Sequence, residues 1–143
     1  MKPDSVAVIP CSGIGKSLGT VGREAAYLVA ERFDAGEVFV PALAPLVLGD
    51  PESVDELFGS AVITVDGCRL GCARKTVEEC RIPVAGSFAV MEAQRQHRNL
   101  KPQGVRELND DGLSLAEKLA DEIAEQARTL IREDRSDPEE VTE

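Results

Sequence analysis

Two short apolar, β-branched stretches each run directly into a glycine-rich loop that carries cysteine. The first reads VAVIP-CSGIGKSLG (residues 6–19) and the second AVITVDGCRLGCARK (residues 61–75). Apolar runs of this length without polar alternation mark strands buried on both faces, as in parallel sheets. Helix-period segments separate them, so strands alternate with helices. The pattern predicts an α/β fold: three layers, with a mostly parallel four-stranded sheet, helices on both faces, Rossmann-like or flavodoxin-like.

The elements follow in order. Residues 6–10 are a strand, and residues 20–33 a helix whose Val21, Ala25, Leu28 and Val29 repeat at helical spacing, with Gly36 at its end. EVFVP (residues 37–41) is a second strand. PALAPLVLG is apolar but broken by two prolines, and is expected as a buried loop or short helix. In DPESVDELFG, Asp50 caps a helix and Pro51 opens it. Residues 61–65 form a third strand, 70–80 a short helix, 82–88 a fourth strand weakened by Pro83 and Gly86, and 90–97 a helical turn or two. A last helix is expected from Ser114, with Ser114 and Glu117 as a capping box and Leu115, Leu119, Ile123, Ala127 and Leu130 on its core face. Residues 1–131 therefore read as one domain, and the charged stretch 132–143, which contains Pro138, as a flexible tail.

In open parallel sheets, ligands bind beyond the carboxyl ends of the strands, where strand order reverses. Both cysteine loops lie at such ends. With strand order 2-1-3-4 they face each other across the switch point.

At 143 residues the chain can bury a real core, but it has no Trp, one Tyr and four Phe, so the core must come from Val, Leu, Ile and Ala. A net charge of −10 argues against nucleic-acid binding. No apolar run approaches the roughly 18 residues of a membrane span, and the N-terminus lacks a signal-peptide core. A cytoplasmic protein is expected. In that compartment thiols stay reduced, so four cysteines speak for metal or redox chemistry over structural disulfides.

Cys68 and Cys72, four apart, would share one helical face about 6 Å apart, near enough to hold one ion through Zn–S-type bonds of about 2.3 Å. Cys11 would arrive from the neighbouring loop as the third soft ligand. Cys80 lies about 12 Å further along a helix from Cys72 and reads as a small buried hydrophobe. It and Asp66 rank behind the first three as ligands, with water or a small ligand as further candidates for a fourth position. Lys16, Arg69, Arg74 and Lys75 gather near these cysteines, and cations favour thiolate over thiol; the same four charges are equally read as a solvated face. His97, in a polar stretch, reads as a surface residue.

PCSGIGKS approaches the phosphate-loop pattern, but Pro10 stands where the first glycine belongs and has no N–H to give a phosphate. The backbone of Ser12, Gly13, Gly15 and Lys16 is still a candidate anion-binding nest ahead of a helix.

The Asp66-Gly67-Cys68 triplet, Cys72, the opening P-C-S-G-I-G-K (residues 10–16), G-T-V-x-R-E-A-A (residues 19–26) and KPQGV (residues 101–105) together resemble the DGC-domain family, which is named for a central Asp-Gly-Cys and linked to zinc binding. The resemblance covers about residues 4–130. It implies a zinc site carried onto Cys11, Cys68 and Cys72. Family members tend to carry a further cysteine between the two motifs, where this chain has PALAPLVLG.

The expected function is that of a zinc-binding protein holding its metal through cysteines on two strand-end loops, with the metal ion and a small anion or thiol as ligands. A thiol-based redox or metal-assisted enzyme would use the same cysteines, as would a metal-delivery or interaction module. An iron–sulfur cluster is not expected, because three cysteines fall short of the usual four.

Overall fold

The computed structural model describes residues 5–11, 16–67 and 70–142, with side chains as far as Ile131. Strand β1 (Ser5–Pro10) leads through α1 (Ser17–Glu31) to β2 (Val38–Phe39). Short α2 (Ala44–Val47) and α3 (Pro51–Phe58) precede β3 (Ser60–Asp66). Then come α4 (Cys72–Glu79), β4 (Gly86–Ala89), α5 (Val90–Gln96) and α6 (Asp110–Thr142). The four strands make one all-parallel sheet in the order β2-β1-β3-β4. The order 2-1-3-4, the condition for the two cysteine loops to face each other, is the observed one, and the switch point lies between β1 and β3.

Period-two alternation along the central strands sorts the core into two layers. Val6 and Val8 of β1, with Ile63 and Val65 of β3, face α1, α5 and α6. Ala7, Ile9 and Cys11, with Val62, face the opposite side and pack on Leu46 of α2, Leu57 of α3, and Ala73 and Val77 of α4. Both faces of the sheet are thus covered by apolar side chains. This explains why β1 and β3 read as unbroken hydrophobic runs. Leu115, Leu119, Ile123 and Ala127 of α6 are buried as their spacing requires, and Leu130 packs at the edge of the same layer.

Local signals were obeyed where a side chain could satisfy the backbone. Asp50 caps α3 by accepting from Ser53 N–H at 3.2 Å and Ser53 Oγ at 2.8 Å. The PALAPLVLG stretch supplies α2, whose Leu46 is buried. Three expectations need correction. The second strand contracts to two residues, Val38–Phe39. The fourth begins only at Gly86, because Pro83 has no N–H to give the ladder; the Ala85 N–H reaches Val62 C=O at 2.8 Å immediately before it. The last helix starts at Asp110, not near Ser114. Its cap is Asn109, whose Oδ1 accepts from Gly112 N–H at 2.8 Å. Ser114 lies inside the helix, so the Ser114–Glu117 pair is not its capping box. The core face of helix α6 is buried as far as Ile131, and the helix continues to Thr142.

Among the described residues no helix is long and apolar enough to cross a membrane.

Leu119 is 1 % exposed at the centre of the layer that joins α6 to the sheet. Replacing Leu119 with Ala is expected to cost about 2–5 kcal/mol. Urea unfolding followed by circular dichroism should show the midpoint fall with little change in slope.

Candidate functional site

The carboxyl rim of β1 and β3 is organised by two consecutive residues, Asp66 and Gly67. Asp66 is the last residue of β3 and is 4 % exposed. A carboxylate so buried needs partners. It finds them at the start of α4: Oδ1 accepts from Ala73 N–H at 2.7 Å and Oδ2 from Arg74 N–H at 3.2 Å. Gly71, at the N-cap position, is left-handed (φ 64°) and forms no side-chain cap. Asp66 therefore caps α4 from a distance, and its negative charge meets the positive end of the helix dipole.

Gly67 serves the other neighbours. Its N–H points at Cys11 Sγ, 3.2 Å away. A Cβ on Gly67 would lie 3.0 Å from Gly19 N and 3.2 Å from Leu18 C, both backbone atoms of the first turn of α1. The glycine of the Asp-Gly-Cys triplet is thus a requirement of close packing between a strand end and a helix backbone.

The cysteines separate clearly. Cys11 is buried, 8 % exposed, at the end of β1, and its own N–H reaches Val65 C=O at 2.9 Å. Cys72 is exposed and opens α4, one residue ahead of the N–H groups that Asp66 holds. Cys80 closes the same helix at the opposite end, partly buried, and its thiol donates to Leu46 C=O at 3.6 Å. Because residues 72–79 form an unbroken helix, Cys72 and Cys80 stand roughly 12 Å apart along its axis. Cys68 lies outside the described residues, as do Ser12, Gly13 and Gly15 of the candidate anion loop. Lys16 is exposed at the N-cap of α1 and makes no side-chain capping bond. Among the described residues no group of three or more Cys, His, Asp or Glu stands together as ligands.

Of the basic residues read around the cysteines, Arg69 is outside the described residues, Arg74 pairs with Glu78 at 3.4 Å, and Lys75 is exposed. His97 is half-buried at the end of α5. Another basic residue, Arg23, lines the same cleft as Cys11. Pro10, Tyr27 and the segment 40–44 line it too, and its volume is about 520 Å³. Sequence reasoning passed over Arg23 and Tyr27. Their signal was present in α1, where two polar residues four apart share one helical face.

The sequence profile of the DGC domain matches residues 7–111. This chain belongs to the DGC-domain family. Both motifs that frame the rim, the end of β1 and the Asp66-Gly67 corner, fall within that match. No curated protein and no solved structure matches the chain.

Two substitutions test this account of the DGC-domain rim. Asp66→Ala is expected to lower stability by about 1–2 kcal/mol through loss of the α4 cap, and to raise amide exchange at Ala73 and Arg74. Gly67→Ala should cost about 1–3 kcal/mol by forcing the α1 backbone away. Denaturant titration and residue-resolved hydrogen exchange read both.

Proposed function

We propose that this member of the DGC-domain family is a cytoplasmic zinc-binding protein whose metal is held by Cys11, Cys68 and Cys72 at the carboxyl rim of the sheet. The observation that carries the reading is the hydrogen bond from Gly67 N–H to Cys11 Sγ at 3.2 Å. It joins the end of β1 to the residue immediately before Cys68. Asp66 supplies the second link, since its carboxylate ties the same corner to the first turn of α4, where Cys72 stands.

The donor chemistry fits the ion. Sulfur on two loops and a helix start suits a borderline-soft metal. A backbone N–H aimed at Cys11 Sγ is the contact that metal-bound thiolates accept from their second shell. When bound, the metal supplies Lewis acidity at a fourth position open to water or a small ligand. The protein's own contribution is placement: Asp66 holds the start of α4, and Gly67 lets the chain turn against α1. Cys80, bonded to Leu46 C=O at the far end of α4, serves packing.

Elemental analysis of protein purified without added metal tests the reading. About one zinc per chain is expected. Cys11→Ser and Cys72→Ser should each lower zinc occupancy strongly, while Cys80→Ser retains it. Folded protein that stays metal-free on zinc titration would sink the proposal. Rapid alkylation of Cys11 in that metal-free protein would favour thiol redox chemistry in its place.

A further inference from the structure

The KPQGV motif (residues 101–105) carries no sulfur, and the metal reading leaves it without a role. It lies in the connection from α5 to α6, in a loop (residues 101–109) closed on itself by Asn109. Asn109 Nδ2 donates to Lys101 C=O at 3.0 Å, its Oδ1 accepts from Gln103 N–H at 3.0 Å, and its own N–H reaches Gln103 C=O at 3.0 Å. Lys101 N–H is held in turn by Asp111 Oδ2 at 3.0 Å. Gly104 makes the turn at φ 102°, and a Cβ there would strike Glu107 C=O. A loop whose ends are joined in this way has little freedom of its own.

The fixed loop is aimed at α1. Its Val105 C=O accepts from Thr20 Oγ1 at 2.7 Å, across 85 residues of sequence. A threonine hydroxyl has one proton to give. Within its own helix the alternative acceptor is Lys16 C=O, at 3.4 Å, so the loop takes the better bond. Arg23 Nη2 donates to the same hydroxyl oxygen at 3.0 Å and fixes it further. Thr20 stands in the first turn of α1, next to Gly19. That turn is the one that meets Gly67: a Cβ on Gly67 would lie 3.0 Å from Gly19 N and 3.2 Å from Gly19 Cα. Gly67 in turn gives its N–H to Cys11 Sγ. A path of contacts thus runs from the loop, through Thr20 and Gly19, to the corner that precedes Cys68.

We propose that Thr20 is a positioning residue of the rim. The loop 101–109 braces α1 through the Thr20 hydroxyl, the braced turn holds Gly67 against Cys11, and the affinity of the rim for its metal depends on that brace. The last step rests on the zinc reading given above; the bracing of the Cys11–Gly67 corner does not. Neither Thr20 nor Val105 is a ligand. They act by fixing the depth at which the first turn of α1 settles against the end of β3. Donor atoms held in place before binding lose less freedom when the metal arrives, and contacts outside the ligand set are known to tune metal affinity.

Thr20→Val removes the hydroxyl and keeps the shape, while Thr20→Ser keeps the hydroxyl. Hydrogen exchange of the Gly67 amide is followed by NMR in the chelator-treated full chain, with the core amides of Val8 and Ile123 as reporters of global opening. Thr20→Val is expected to speed Gly67 exchange about three- to tenfold beyond any change at Val8 and Ile123, the effect of one net hydrogen bond. Thr20→Ser should stay close to the unsubstituted chain. Gly104→Ala disturbs the loop from within and should speed Gly67 exchange in the same way. Combined with Thr20→Val it should add nothing further, because both break one path. Zinc titration against a chromophoric chelator then reads affinity, expected to be about three- to tenfold weaker in Thr20→Val and restored in Thr20→Ser. If the unsubstituted chain takes up no zinc while Gly67 responds to Thr20→Val, the metal reading falls and the brace stands. The proposal is overturned if Gly67 exchange merely follows the core amides in Thr20→Val, if Thr20→Ser fails to restore it, if the two substitutions add independently, or if zinc-binding protein keeps its affinity in Thr20→Val.

Discussion

The Asp66 carboxylate, buried at the end of the central strand β3, is the contact on which the rim of this protein depends. A charge in that position is costly unless its oxygens are satisfied. Two backbone N–H groups at the start of α4 satisfy them, and the helix dipole adds to the attraction. The next residue completes the joint. Gly67 gives its N–H to the Cys11 sulfur and, lacking a side chain, lets the first turn of α1 come within van der Waals reach. Two adjacent residues at the end of β3 thereby touch the end of β1, the first turn of α1 and the first turn of α4.

The joint also divides the cysteines by environment. Cys11 and Cys72 belong to the carboxyl rim, while Cys80 is carried by α4 to its far end and bonds a carbonyl of α2. One helix thus separates an exposed thiol at the rim from a partly buried thiol bonded to a carbonyl. The cleft beside Cys11 adds a third feature to the rim: a guanidinium whose direction is set by Thr20 and, through it, by Val105. A buried thiol, Cys11, and a helix start capped by Asp66 both lie where an open parallel sheet leaves its strand ends accessible.

Much of this was legible in the chain. The apolar runs of β1 and β3, the helical spacing of Val21, Ala25 and Val29, and the Asp50-Pro51 helix start were each local signals, and each was honoured. The misreadings came from competition between local signals. Asn109 and Ser114 are both good caps, and the earlier one prevailed: Asp110 and Asp111 suit the positive end of the helix dipole, and Gly112 is carried inside the helix. Pro83 cost the fourth strand its first residues. The structural part that Asp66 plays was not visible in the chain, where it stood only as one candidate for a fourth ligand position. Its tie to α4 spans seven residues and a loop, and no periodicity reports it.

What the sequence determined by itself is the class of fold and the family, because hydrophobic period and short motifs act over a few residues and need no distant partner to be recognised. What only the tertiary structure decided is which residues meet: Gly67 with Cys11 and α1, Asp66 with the start of α4, Arg23 with the cleft. Such meetings depend on the angle and depth at which helices settle on a twisted sheet. Packing across the whole core sets those quantities, and no local stretch of chain encodes them.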